Sequence, residues 1–267
     1  MSEREDMMIT IRSAAVAGMF YPADASQLHH DIQDLLTKAK SCDVKPKALI
    51  VPHAGYIYSG AIAATAYANL RSVSARIQKV VLLGPAHRVA IHGLALPKAD
   101  AFATPLGNIK LDAALVKTIV HLPQIIVSNE AHALEHSLEV QLPFLQSVLG
   151  EFTLLPLAVG MVSADAVAEV LDCVWGGDET LVVISSDLSH YLPYTTAQHF
   201  DDETVRSIVQ LRQLSDSDRA CGCIPVNGLI KAAWKYHLTP HLLDLRNSGD
   251  TAGSRDQVVG YAAIAFD

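Results

Sequence analysis

Three histidines in this 267-residue chain stand at matching places. The apolar run Ala48 to Val51 breaks at Pro52 and delivers His53. The run Lys79 to Leu83 ends in Gly84-Pro85-Ala86-His87, and Leu181 to Ile184 leads into Ser185-Ser186-Asp187-Leu188-Ser189-His190. Imidazole is a common ligand for iron, copper and zinc, so His53 and His87 form a candidate pair of metal ligands. Asp187 and His190 leave one strand end together and suit acid–base work, the carboxylate orienting the imidazole and raising its basicity. The plainer alternatives are that each histidine closes its strand on a backbone carbonyl, and that Asp187 caps a helix beside a surface histidine. Ser185 and Ser186 lie in no Gly-x-Ser-x-Gly elbow, which argues against a serine hydrolase.

Two more clusters carry reactive groups. Glu135-His136-Ser137-Leu138-Glu139 sets His136 and Glu139 three residues apart, on one helical face if a helix has begun there. They would be metal ligands, partners of ligands or substrate contacts, or else an acidic, solvated helix start. Cys221-Gly222-Cys223 stands before a helix expected over Val226 to Tyr236, with Pro225 suited to its first turn. A thiolate there has a lowered pKa and can bind a soft or borderline metal, whereas a buried cysteine can equally act as a small hydrophobe.

The elements that must position these groups are short apolar strands of the kind buried on both faces, typical of a parallel sheet. Open α/β sheets place their chemistry beyond the carboxyl ends of such strands. Between them the pattern predicts a helix with Leu28, Ile32, Leu35 and Leu36 on one face, capped by Asp24 or Ser26, and a small apolar helix over Ala61 to Leu70. A short strand follows at Gly93 to Leu96, a loop at Asp100 to Asn108, a helix at Leu111 to His121 and a strand at Ile125 to Val127. Ala131 to Glu139 opens a further helix with Leu138, Leu142, Phe144 and Leu145 apolar, interrupted or started near Pro143. Then come a strand at Phe152 to Val159, a helix from Ser163 to Trp175, a helix around Glu203 to Gln213, and strands at Leu242 to Leu245 and Val258 to Phe266. No repeat or linker interrupts the chain, so residues 1–267 read as one α/β domain, a central, largely parallel sheet flanked by helices.

The composition narrows the function. Half the residues are hydrophobic, and a formal net charge of −8 argues against a general affinity for nucleic acid or anionic membrane. The polar opening MSEREDMM does not read as a signal peptide, and the longest apolar stretch is too short to span a bilayer. The four cysteines show no CxxC pairing, which suggests a reducing cytoplasm.

With these residues in place, the chain resembles the Memo family, whose prokaryotic members are called AmmeMemoRadiSam system protein B. The resemblance runs through Val16 to Pro22, Pro52 to Tyr58, Leu83 to His87, Glu135 to Glu139, Ser185 to His190, Ala220 to Gly222 and Gly260 to Ala263. It implies a fold like that of class III extradiol dioxygenases, with His53, His87 and Cys221 as metal ligands, the thiolate standing where those enzymes use a glutamate. It further implies His190 as the acid–base histidine and Asp187, His136 and Tyr56 lining the pocket, while Cys223 is an alternative ligand. The expected function is a mononuclear Fe(II) or Cu site with redox or oxygenase-type activity on a small substrate, Zn being a further candidate. A thiolate changes the charge donated to iron and also welcomes copper. The other readings are a binding or metal-handling module that reuses the fold, and a zinc hydrolase with His190 as base, although no HExxH is present. The family name implies a radical-SAM protein as partner.

Overall fold

The computed structural model describes residues 9–267, so the reading of MSEREDMM lies outside the described residues. The chain begins with β1 (Ile11–Arg12), α1 (Ala25–Lys38), β2 (Ala48–Val51), α2 (Ala61–Ala68), β3 (Lys79–Pro85) and β4 (Leu94–Leu96). It continues through β5 (Ala101–Thr104), β6 (Gly107–Lys110), α3 (Ala113–Ile119), β7 (Ile125–Val127), α4 (Glu130–Ala133), α5 (Leu142–Val148) and β8 (Thr153–Val159). The last part holds α6 (Ala164–Val174), β9 (Thr180–Ser185), β10 (His190–Leu192), α7 (Tyr194–Val209), α8 (Cys223–Tyr236), β11 (Pro240–Asn247) and β12 (Val258–Phe266).

The doubly buried runs form the centre of one large sheet. Strands β2, β9, β3 and β8 are adjacent and mutually parallel. On one side β12 pairs antiparallel with β2 and carries β10 and β11; on the other, β4 runs antiparallel to β8 and β7 follows it. Alternation along each strand feeds two cores. Leu49, Val51, Val80, Leu82, Leu181 and Val183 face α1, α2 and α5, whereas Ile50, Val81, Leu83, Val182 and Ile184 face α3, α6 and α8. Each large aliphatic side chain so buried is worth roughly 1.5–3 kcal/mol.

Local chemistry sets the helix ends. The Asp24 carboxylate accepts from the Gln27 amide to start α1, Asp112 accepts from Ala114 and Leu115 to start α3, and Ser163 accepts from Ala166 to start α6.

The structure departs from the sequence reading in four places. The segment expected as a loop over Asp100 to Asn108 is a hairpin, β5–β6, closed by Pro105-Leu106 with Gly107 at φ +122 and with the Thr104 hydroxyl accepting from Leu106 N–H. Turn residues there mark a tight reversal rather than an irregular loop. Helix α7 begins at Tyr194, well before Glu203, because its inward face includes Asp201 and Thr204 and so lacks an apolar stripe. Cys223 lies inside the first turn of α8, with Gly222 as the cap, so the helix starts three residues earlier than Val226. The helix expected through Glu139 stops at Ala133 and resumes only at Leu142, apart from a single tight turn at Glu139–Gln141. The Glu135 side chain takes the His136 and Ser137 amides, and those amides are lost to a continuing helix.

Candidate metal centre

Because β9 lies between β2 and β3 and all three are parallel, their carboxyl ends open on the same edge of the sheet. His53 follows β2 by two residues and His87 follows β3 by two. The non-helical segment Leu134–Leu138 brings His136 against both. Ring centroids are 5.2 Å apart for His53 and His87, 5.5 Å for His53 and His136, and 4.8 Å for the stacked pair His87 and His136. One donor nitrogen from each of the three lies within 4.8 Å of the others. Cys221 arrives from the loop before α8, its Sγ 3.4 Å from His53 Nε2.

The close approach of the crossing segments depends on two glycines. A methyl group at Gly84 would stand 2.8 Å from Ser137 Oγ and 3.0 Å from Leu138 Cδ2. At Gly222 it would stand 2.7 Å from Ser186 Cβ, and the Gly222 amide instead donates to Ser186 Oγ at 2.9 Å. Gly84→Ala is therefore expected to destabilise the fold by about 1–3 kcal/mol through overpacking, with the Glu135–Leu138 segment displaced. Denaturant unfolding checks the first part; unchanged stability would show that this segment yields freely.

Hydrogen bonds fix the imidazole of His53 in one tautomer. The Gln141 amide nitrogen donates to the Pro52 carbonyl at 2.8 Å and to Ser185 Oγ at 2.7 Å, while Gln141 Oε1 accepts from the Tyr67 hydroxyl. Ser185 spends its own hydrogen on the Ser137 carbonyl at 2.6 Å. Its oxygen can then only accept from His53 Nδ1, 2.9 Å away, so the Nδ1 is protonated and Nε2 presents a lone pair beside Cys221. Burial first, then the neighbouring His87 and His136, holds the His53 pKa well below its ordinary value.

Glu135 does the same for His87. Burial opposes ionisation of its carboxyl, but hydrogen bonds from the His87 ring and from the Ser137 and His87 amides outweigh it and hold the pKa at about 2. An ionised carboxylate is acceptor-only, so His87 Nδ1, 3.0 Å from Oε1, donates and its Nε2 is left free. Such a carboxylate–histidine pair is how metal-binding imidazoles are commonly oriented. His136 packs against Phe20 with centroids 4.8 Å apart. Its buried Nδ1 lies 3.4 Å from Glu135 Oε1 but makes no hydrogen bond, and burial lowers its pKa to about 4, with Glu135 opposing and His87 and Arg88 assisting.

The other residues singled out from sequence fall in different places. The backbone N–H of His53 donates to Asp187 Oδ1 at 2.7 Å, and among the described residues no hydrogen bond joins Asp187 to the His190 ring; the carboxylate braces the His53 turn instead. Burial raises the Asp187 pKa to about 7. His190 starts β10 with an exposed side chain. Burial, then the Asp187 charge, pushes the Cys221 thiol up to about 12, and its sulfur accepts from the Asp187 amide at 3.3 Å. The Tyr56 hydroxyl donates to the Val140 carbonyl. Cys223 turns away from the histidines, toward Asn227 and the Leu214 carbonyl, because it sits one helical position past the cap. Glu139 is not on a common helical face with His136. Its carboxylate pairs with Arg12 and accepts from the Ala15 and Val16 amides and the Tyr21 hydroxyl. Sequence reasoning assigned no role to Glu135, Gln141 or Ser137, and weighed Ser185 only as a nucleophile. The acid next to a reactive histidine was the available signal.

The fold and this cluster define an α/β protein with three imidazoles and a thiol gathered at the carboxyl edge of its sheet. The chain belongs to the Memo family, whose model, described as Memo-like protein, matches residues 12–265. It is 37% identical to a MEMO1 family protein of Aquifex aeolicus, covering 96% of this chain and 99% of that one. It is 33% identical to a MEMO1 family protein of Metallosphaera sedula, over the same shares of the two chains. An uncharacterised protein of Escherichia coli K12 shares the fold, with a TM-score of 0.51 and 15% identity, over 81% of this chain and 99% of that structure. Among the described residues, no helix is long and apolar enough to cross a membrane.

Proposed function

We propose that the chain is a metal-dependent redox protein whose mononuclear ion, Fe(II) or copper, is held by His53 and His87 with Cys221 as third donor. The observation that carries this is the pair of oriented rings: Ser185 and Glu135 each accept from an Nδ1, which leaves both Nε2 atoms for a ligand, with the ring centroids 5.2 Å apart. The donor set fits a metal, since both imidazoles are held through their Nδ1 atoms and the thiol lies beside one of them. Bound there, the ion would supply an open position for O₂ or a small organic molecule and a route for electrons. His190, exposed at the rim, would take or return a proton on the substrate, while Asp187 holds the His53 turn in place. The small substrate, a cytoplasmic setting suggested by the cysteine pattern and a radical-SAM partner implied by the family resemblance belong to this reading as proposals.

Elemental analysis of protein purified anaerobically tests the reading. Near-stoichiometric iron or copper is expected, and His53→Ala and His87→Ala should each lose it; equal metal content in those variants would refute the site. Ser185→Ala should keep the ligand but free its ring, weakening metal affinity by about 10–100-fold in competition titrations. Unaltered affinity would mean that the tautomer lock has no bearing on binding.

A further inference from the structure

Between β9 and β10 the chain turns to deliver His190, and each of the three peptide groups leading into that residue is held by a hydrogen bond. The Leu188 amide donates to the Gly260 carbonyl at 2.8 Å, and the Gly260 amide donates to the Ser189 carbonyl at 2.9 Å. The third holder is a side chain. Asp201 Oδ1 accepts from the Ser189 amide at 3.0 Å.

Asp201 lies in the middle of α7, so it caps no helix, and it is 2% exposed. Burial raises its pKa to about 6, opposed by the Ser189 amide and hydroxyl and by the Arg219 charge. The carboxyl is seated directly on β12: a methyl group at Gly260 would stand 1.9 Å from Asp201 Oδ2 and 2.5 Å from its Cγ. Gly260 opens the motif Gly260 to Ala263, and the metal centre itself gives no reason for a glycine there. The Asp201 carboxyl does.

On the other side of His190, Tyr191 holds φ +58. A bulky residue adopts that left-handed conformation only where its surroundings enforce it, and such outliers gather at functional sites. The His190 and His53 charges act on one another, as do those of His87 and His190, so the ring stands within electrostatic range of both imidazole donors.

We propose that Asp201 is a positioning residue: its carboxylate, seated on Gly260, holds the Ser189 peptide so that His190 stays beside the histidine cluster. The idea rests on the reading of His190 as the group that takes or returns a proton. Proton transfer needs the base within hydrogen-bond reach of the reacting atom, and a ring on an untethered turn would swing into solvent.

The test follows the His190 ring of the full-length, metal-free protein by NMR, its Cε1–H signal assigned with His190→Gln. In the wild type, partial burial, opposed by the Leu188 carbonyl and assisted by the His87 charge, sets the titration midpoint below the ordinary 6.5. Asp201→Ala removes the acceptor, the Ser189 amide turns to find water, and the midpoint of the displaced ring should rise toward 6.5. Asp201→Asn keeps an oxygen for that amide while losing the charge, and should keep the wild-type midpoint. The charge that acts on the His190 ring is that of His87, not Asp201, so a shift reads position rather than a lost neighbouring charge. A merely structural carboxyl would lower stability in these variants and leave the His190 titration alone. Asp201→Leu, of similar size, stands in for the alanine variant where the cavity unfolds the protein. An unmoved His190 in the alanine or leucine variant overturns the proposal, as does an asparagine variant that moves as far as they do. Because no metal takes part, this result is independent of the metal content of His53→Ala, which decides the metal-site reading by itself.

Discussion

Glu139→Gln is expected to lower the free energy of unfolding by about 3–5 kcal/mol, a large share of the roughly 5–15 kcal/mol that holds a domain together. The wild-type carboxylate is fully buried and paired with the buried Arg12 guanidinium. It also accepts from the Ala15 amide at 2.8 Å, the Val16 amide at 2.9 Å and the Tyr21 hydroxyl at 2.6 Å. An amide removes the charge that compensates Arg12 and turns two hydrogens toward a site already filled with donors. Arg12 cannot escape to water, because its other nitrogens are tied to the His132 and Glu135 carbonyls. Denaturant unfolding checks the value, and a loss under about 1 kcal/mol would show that the pair is poorly desolvated. A double variant, Arg12→Met with Glu139→Leu, should recover much of the loss, since it leaves no unpaired charge behind.

That clasp also shows where sequence reading stops. The strands were legible because runs such as Ala48 to Val51 and Leu181 to Ile184 are apolar at every position, as a strand buried on both faces requires, and too short for a buried helix such as α2. His53 and His87 were legible with them, as residues standing just past such runs, and the parallel order β2–β9–β3 then brings the ends together. The role of Glu139 was not legible. Its partner Arg12 lies 127 residues away, and spacing to His136 suggested a helical face that the Glu135 side chain in fact breaks by taking the next two amides. Likewise His136 reaches the other imidazoles only because Gly84 lets its segment lie on β3, a tertiary contact with no local signature. The hairpin β5–β6 was obscured for a simpler reason, since its turn chemistry was visible but its four-residue strands are too short to show a period.

His132→Gln should flatten the acid side of the stability profile, and the sign follows from the burial of one ring. His132 is 1% exposed, its Nε2 donates to the Ala95 carbonyl at 2.8 Å and its Nδ1 has no partner. Burial, countered by that carbonyl and reinforced by the Arg12 charge, lowers its pKa from 6.5 to about 4. Between those values the unfolded chain holds a proton that the folded one refuses. Stability contributed by this residue is therefore full above pH 6.5 and lost as pH falls, at about 1.4 kcal/mol per unit, or about 3 kcal/mol by pH 4. The wild-type profile alone will not display this cleanly. His136 acts in the same direction, whereas burial raises Asp187 to about 7 and Asp201 to about 6, and those carboxyls gain stability as pH falls toward 3.8. The difference between wild type and variant isolates the one imidazole, because the opposing groups are common to both. Whatever His132→Gln costs at pH 7, that cost should shrink by about 2 kcal/mol at pH 5. A cost that stays constant across this window would mean that His132 titrates normally in the folded protein, through water reaching Nδ1 or a local opening of the Arg12 clasp.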